Sequence, residues 1–534
     1  MSFPGKNIKF QKIHLLLAVG FIIFFIFDYR WLDIATLQLY TADDYGFHGI
    51  LRKMYNAITD GNFKRAFQYN FYSYGYSFFL LNEILCFPFI AAGNIEMVIF
   101  IPRMVSAVCA LVSVYYIYKL SRLYISEIAS LLIVIFIMSM PAFWRNAVWF
   151  HPDWMMTCFL VISCYHLAID QHEFGKNYRR ALIFMGMAAG VKVQAITFIP
   201  LVLGYIFYDE LTTLNFRSFA LSVKRAFKAG FIVVLIFVLN NPYLLHPKGL
   251  RSFVTNVAFN MESNASNHFT YLDVTFMERL QVVDEYYLNY LFFALLLLLN
   301  IFIIVRSIVL KEKNVFFITA LSCIVNLIYL FVAVNKAWQH YYISSMLIAI
   351  LALIPATRLM LPRFAAWTLA VFCLLQFAWY FNKYPEFISR DKNAFGKPVD
   401  MEKARSDIAF TNQTIGSTIR PEHYVLVSPF LPFDQEKLGV PFEHVRLLFG
   451  YLKEEHLFRH AFFAAHPTAL PEEFFNFEYI IFSRRGNEKI GEGSPAMLAI
   501  QEEDRLIELM KKGEAGYDLL SEKNGVYIFK KRNH

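Results

Sequence analysis

The chain has 534 residues, of which 57% are hydrophobic and only 17% charged. A soluble globular protein carries about 25% charged residues, and here the apolar excess falls in membrane-length runs, which excludes a soluble fold. The net charge of +8 comes largely from basic residues in short loops between those runs. That pattern sets membrane topology and gives no nucleic-acid surface.

A bilayer is crossed by about 20 apolar residues in a helix, the open-chain structure that satisfies its own backbone in lipid. Apolar runs lie near 14–27, 77–92, 97–118, 128–143, 154–169, 181–195, 196–208, 229–240, 288–305, 315–334, 343–357 and 364–381. The sequence therefore predicts a polytopic α-helical membrane protein of about 11–12 apolar helices over residues 1–382. Lys6, Lys9 and Lys12 precede the first run, and Asp28-Tyr29-Arg30-Trp31 follows it in place of a small-residue cleavage site. This reads as a retained anchor with a cytoplasmic N-terminus.

Basic loops at 170–180, 209–228 and 306–314, with Arg358 and Arg363, go to the cytoplasm by the positive-inside rule. Residues 144–153, the neighbourhood of 195, 241–287, 335–342 and everything after 382 then face outward. Residues 43–44 and 151–153 must lie on one side, yet three runs separate them. One run must fail to span, and 77–92 is the shortest. Trp31, Trp144, Trp149, Trp154, Trp338 and Trp379 fall at the outer edges of this scheme, as an interfacial belt does.

Residues 32–76 form a long outer loop, and 241–287 a second. Tyr45 to Ala57 reads as an amphipathic helix in the membrane interface, with Phe47, Ile50, Leu51, Met54 and Ala57 on one side. Residues 383–534 are less apolar and read as an extracytoplasmic α/β domain. Its strands are Tyr424–Ser428, Tyr479–Ser483 and a terminal strand from Val526, after the Asn524-Gly525 turn, with an amphipathic helix over Glu502–Lys512. The six cysteines all lie in or at apolar runs, and their spacing gives neither a disulfide framework nor a zinc site.

Charge at a membrane edge is costly and marks solvent access or function. Asp43 and Asp44 stand where the chain leaves the first run. One can face a cavity while the other caps the helix near Tyr45, and capping with solvation also accounts for the pair. His151-Pro152-Asp153 opens the run 154–169 on the same predicted side, where Pro152 and Asp153 also suit a helix start. Lys192 sits inside the apolar stretch 181–208, where it needs an anion, water or a snorkelling route. Lys336 and His340, four apart, share a face if their segment is helical. A histidine with three carboxylates can bind a divalent cation, but this spacing is not diagnostic, and no metal or cofactor is assigned. Together these groups suit a substrate that carries a phosphate and hydroxyls.

The order of these motifs resembles the GT-C superfamily of glycosyltransferases, in the branch of protein O-mannosyltransferases and the lipid A aminoarabinose transferase. The resemblance runs from residue 14 to about 380. It is carried by Asp43-Asp44, Met54, Gly61-Asn62-Phe63, Pro102-Arg103 to Arg122, Asp153, Gly190-Val191-Lys192 with Pro200, and Gln339-His340-Tyr341-Tyr342 before Ile354-Pro355. Asp44 stands where the family often has Glu, and Val191 where it has Thr before the lysine. The resemblance implies inverting transfer of a sugar from a polyprenyl-phosphate donor to an acceptor hydroxyl on the extracytoplasmic side. Asp43 would be the general base and Asp44 would shape the site. Asp153 would orient acceptor or base, His151 would help bind substrate, and Lys192, Lys336 and His340 would stabilise the lipid phosphate. The partners implied are the lipid-linked donor, the membrane, and a lipid, glycan or protein acceptor.

Other readings are a transporter or flippase of a lipid-linked or anionic solute, and an oligosaccharide ligase. The tail resembles bacterial members, so the expected location is a bacterial inner membrane. The Asn264 and Asn412 sequons matter only in an endoplasmic reticulum lumen.

Overall fold

A computed structural model describes residues 12–29, 32, 42–69, 71–213, 219–267, 272–312, 314–383, 400–428, 431–435, 437–441, 444–447, 472–484, 495–513 and 515–532. In chain order the helices used below are α1 (Lys12–Tyr29), α2 (Ala42–Thr59), α3 (Tyr76–Ala91), α4 (Ile95–Arg122), α5 (Glu127–Met138), α6 (Pro141–Ala147), α7 (Asp153–Asp170), α8 (Lys176–Val191), α9 (Phe219–Asn240), α10 (Pro247–Ala265), α11 (Phe276–Tyr286), α12 (Tyr290–Leu310), α13 (Val315–Val332), α14 (Gln339–Arg358) and α15 (Pro362–Tyr380). Among the described residues, six helices are long and apolar enough to cross a bilayer, or seven if the bent pair α5–α6 is one span. The chain is an integral membrane protein.

The apolar runs outnumber these spans for local physical reasons. The stretch 181–208 breaks at Lys192, which leaves the helix in an extended conformation (φ −149°, ψ 123°). There it forms an antiparallel bridge with Tyr74. Gly75 N–H donates to Val191 O at 2.7 Å and Val193 N–H to Ser73 O at 3.2 Å. A short 3-10 turn, Val193–Phe198, follows, and Pro200 starts a new helical segment. The run 77–92 forms α3, of 16 residues, too short to cross without help. It lies along α2, with ring pairs Phe47–Phe79 and Tyr55–Phe87. By contrast α4 has 28 residues, about 42 Å at 1.5 Å per residue, ample for a crossing.

Phe47, Ile50, Leu51, Met54 and Ala57 do share one face of α2, but that face is buried in the protein. The expectation that it rests on lipid is corrected: Phe47 packs against Phe71, Phe78, Phe79 and Phe150. These rings claim the apolar side of α2 before lipid can.

The C-terminal residues build a five-stranded sheet: β1 (Val425–Val427), β2 (Val445–Leu447), β3 (Tyr479–Ser483), β4 (Tyr517–Lys523) and β5 (Val526–Lys531), in spatial order β2-β1-β3-β5-β4. β1 pairs in parallel with β2 and β3, and β5 runs antiparallel to β3 and β4. Alternate residues serve two cores. Leu426, Ile480, Phe482 and Phe529 pack with Ile507 and Met510 of the helix Pro495–Lys511. Val425, Val427, Ile481 and Ile528 pack with Ile415 of the helix Met401–Ile415. Burial on both faces explains why these strands read as unbroken apolar runs. The terminal hairpin turns through Asn524 and Gly525, both at positive φ, as a two-residue hairpin turn requires.

Candidate active site

The helix α2 begins at Ala42, three residues before the expected start. Asp43 and Asp44 therefore both lie in its first turn, where the helix dipole favours acids. Neither is left outside the helix to cap a start at Tyr45. The Asp43 side chain lies outside the described residues. The Asp44 side chain is fully buried. Its Oδ2 accepts from Arg103 Nη2 at 3.1 Å and Nε at 3.3 Å, and His48 Nε2, one turn along α2, lies 3.1 Å from Oδ1. Burial alone would raise the Asp44 pKa, but the Arg103 guanidinium, helped by the His48 contact, outweighs it and holds the group at about 2. Asp44 is an ionised anchor at neutral pH.

A second cluster forms where α7 begins. Asp153 Oδ1 accepts from Lys192 Nζ at 2.6 Å, and Asp153 Oδ2 pairs with His151 Nδ1. All three side chains are buried. Lys192 is held there by the Tyr74 bridge, with its ammonium 5.7 Å from the Tyr74 ring and 5.4 Å from the Tyr341 ring. Such cation–π contacts partly replace water around a buried ammonium. The bridge needs glycine at position 75, because a Cβ there would lie 1.6 Å from Gly190 O.

The two clusters touch. Ser106, one turn beyond Arg103 on α4, donates from Oγ to His151 O at 3.3 Å. The Phe47 ring stacks on the His151 ring at 5.8 Å, and Phe150 packs on His48 at 5.3 Å. His340 completes the floor, its ring 5.1 Å from that of His151. His151, Asp153 and His340 bring three possible ligand atoms within 4.8 Å of one another. A divalent cation placed there would share the Asp153 carboxylate with the Lys192 ammonium, at a separation where like charges repel strongly.

Lys336 is buried and lies on an irregular stretch before the 3-10 turn Gln339–Tyr342. It therefore does not share a helical face with His340, as the spacing of four suggested. Instead its Nζ contacts Ser263 Oγ at 3.0 Å and sits 4.8 Å from the Trp338 ring. Sequence reasoning assigned no role to Arg103 or His48. Arg103 was visible as a lone charge inside the apolar run 97–118, and His48 as the residue one helical turn from Asp44.

Residues 90–243, which carry Arg103, His151, Asp153 and Lys192, match the family of dolichyl-phosphate-mannose-protein mannosyltransferases. The fold resembles crystal structures of ArnT from Cupriavidus metallidurans in the apo state (TM-score 0.55) and bound to undecaprenyl phosphate (TM-score 0.54). Both share 13% identity and cover 97% of either chain. The apo oligosaccharyltransferase of Archaeoglobus fulgidus is a more distant likeness, with 12% identity, 88% of this chain and 69% of that chain covered, and a TM-score of 0.48. No curated protein sequence matches the chain.

The fold is that of the ArnT structures. The family match and the fold together support a membrane glycosyltransferase that uses a lipid-linked donor.

Proposed function

We propose that this protein moves one sugar from a polyprenyl-phosphate donor to an acceptor hydroxyl on the extracytoplasmic face, with inversion at the anomeric carbon. The observation that carries the reading is the contact of two buried clusters, each of a cation, a carboxylate and a histidine, Arg103–Asp44–His48 and His151–Asp153–Lys192, through Ser106 and Phe47. One cluster fixes the start of α2. The other presents an ammonium from a rigid backbone bridge.

In the transfer, the acceptor oxygen forms a bond to the anomeric carbon while the bond from that carbon to the phosphate oxygen breaks. The electron pair leaves on the phosphate, and the acceptor proton goes to a carboxylate. Asp44 is a poor base because Arg103 holds it ionised near pKa 2. That assigns the proton to Asp43, beside it on the first turn of α2. Asp44 fixes the helix that carries this base. Lys192 meets the growing phosphate charge, and Asp153 with His151 holds Lys192 in place. Lys336 adds positive potential on the phosphate side, and His340, whose ring lies 5.1 Å from that of His151, offers a ring N–H there. No metal is required, since Lys192 already supplies the fixed cation. The N-terminus is cytoplasmic, the C-terminal α/β unit lies outside, and the membrane is a bacterial inner membrane.

The test is transfer of labelled sugar from defined polyprenyl-phosphate donors by purified protein, with native membrane extract supplying acceptors. Loss of transfer in Asp43→Asn, with folding intact, is the expected result.

A further inference from the structure

The segment 241–287 is the second outer loop, and α10 (Pro247–Ala265) is its main helix. It has three distinct edges. One edge clasps the protein around the site. Asn256 Oδ1 accepts from Ser73 N–H at 2.9 Å, next to the Tyr74–Lys192 bridge. Ser263 Oγ meets Lys336 Nζ at 3.0 Å, and Asn264 accepts from Asn335 N–H at 2.7 Å.

A second edge is apolar and bare. Leu250 is 49%, Val254 57% and Met261 67% exposed. At 100° per residue these three fall within about 40° of one another on the helix. A third edge, next to this ridge, carries the exposed charges Arg251 and Glu262 and the exposed hydroxyl of Thr255.

The ridge does not stand alone. Leu239 and Leu245 (77% exposed), in the chain just before it, are exposed too, as are Phe227, Phe231 and Val234 on one face of α9. Exposed apolar residues on two successive helices and the turn between them, bordered on α10 by charge, fit the boundary between headgroups and acyl chains. Left in water they would be a large apolar patch.

We propose that α10 is an interfacial helix: its Leu250–Val254–Met261 ridge lies in the outer leaflet, and its opposite edge holds the roof of the site. The occupant of the ridge is the lipid bilayer itself. Arg251 and Lys248, both exposed near the start of the helix, then face the phosphate layer. The site is in this way pinned at the depth where a lipid phosphate resides. The inference rests on the membrane fold and holds whether or not the transfer chemistry is as proposed.

The test uses the full chain in nanodiscs of phosphatidylethanolamine and phosphatidylglycerol, with nitroxide labels on Val254→Cys and, separately, on Thr255→Cys. Both positions are exposed, so neither variant disturbs the core. Labelled wild-type protein supplies the background from native cysteines. The expected result is that the label at position 254 relaxes faster with oxygen than with a water-soluble nickel chelate, and that the label at 255 shows the reverse. Equal access of both labels to the nickel chelate would overturn the proposal. So would shielding of the 254 label from both reagents, which would mean that a protein surface covers the ridge.

Discussion

Lys192 and Asp153, 39 residues apart in sequence, form a buried ion pair with Nζ 2.6 Å from Oδ1. The pair joins the end of α8 to the start of α7, and the backbone bridge to Tyr74 ties both to the segment that follows α2. Breaking a buried pair from one side leaves an uncompensated charge and costs about 3–5 kcal/mol. Lys192→Met is therefore expected to lower stability by that order and to abolish transfer. Asp153→Asn combined with Lys192→Met should regain most of the stability, by thermal unfolding in detergent, and none of the activity. Recovery of transfer in the double variant would remove Lys192 from the reaction.

Asp44 gives a pH signature. Its folded pKa of about 2 lies below the ordinary 3.8, so it contributes stability above the unfolded value and loses it as pH falls through the folded one. The difference is worth about 2 kcal/mol at 1.36 kcal/mol per pH unit. The stability gap between wild type and Asp44→Asn should be flat from pH 8 to about 5 and shrink from about pH 4 toward 2. Chemical unfolding across that range checks it. In Arg103→Met burial acts on Asp44 with only His48 to oppose it, so the folded pKa rises toward the unfolded value and the decline should shrink or vanish.

Gly75→Ala probes the bridge itself. A methyl 1.6 Å from Gly190 O cannot be accommodated without moving one strand. Overpacking of this kind typically costs about 1–3 kcal/mol, and here it also shifts Lys192. Transfer should fall at least tenfold while the protein still folds in membranes, as measured by activity beside size-exclusion chromatography.

Metal dependence follows from the charge at Asp153. With Lys192 paired there, EDTA should leave the transfer rate within about twofold, and added manganese or magnesium should not raise it. In Lys192→Met the same three donor atoms, within 4.8 Å, lose the competing charge. Manganese binding by that variant alone, read by electron paramagnetic resonance, is the expected contrast.

Much of this was legible in the sequence because membranes impose simple rules. Apolar length gave the helical membrane class, and the apolar face of α2 was read correctly as Phe47, Ile50, Leu51, Met54 and Ala57. What covers that face was not legible, since a helix side that fits lipid also fits a cluster of phenylalanines. The run 181–208 looked like two helices. Its break at Lys192 depends on pairing with Tyr74, more than a hundred residues earlier, and no local pattern records it. The acids and Lys192 were visible as costly charges at helix ends. Arg103 lay inside an apolar run, where loop-based charge counting passes over it, although it fixes Asp44. Lys336 and His340 were paired by spacing, but the chain between them is not helical.

The most direct measurement is transfer of radiolabelled sugar from a panel of polyprenyl-phosphate donors, with wild type beside Asp43→Asn and native membrane extract as acceptor. The account predicts label passing from one donor to an acceptor in wild type and almost none in the variant, with both proteins folded alike. Transfer at near wild-type rate by Asp43→Asn would contradict the assignment of the base. Absence of transfer from every donor by folded wild-type protein would contradict the glycosyl transfer itself.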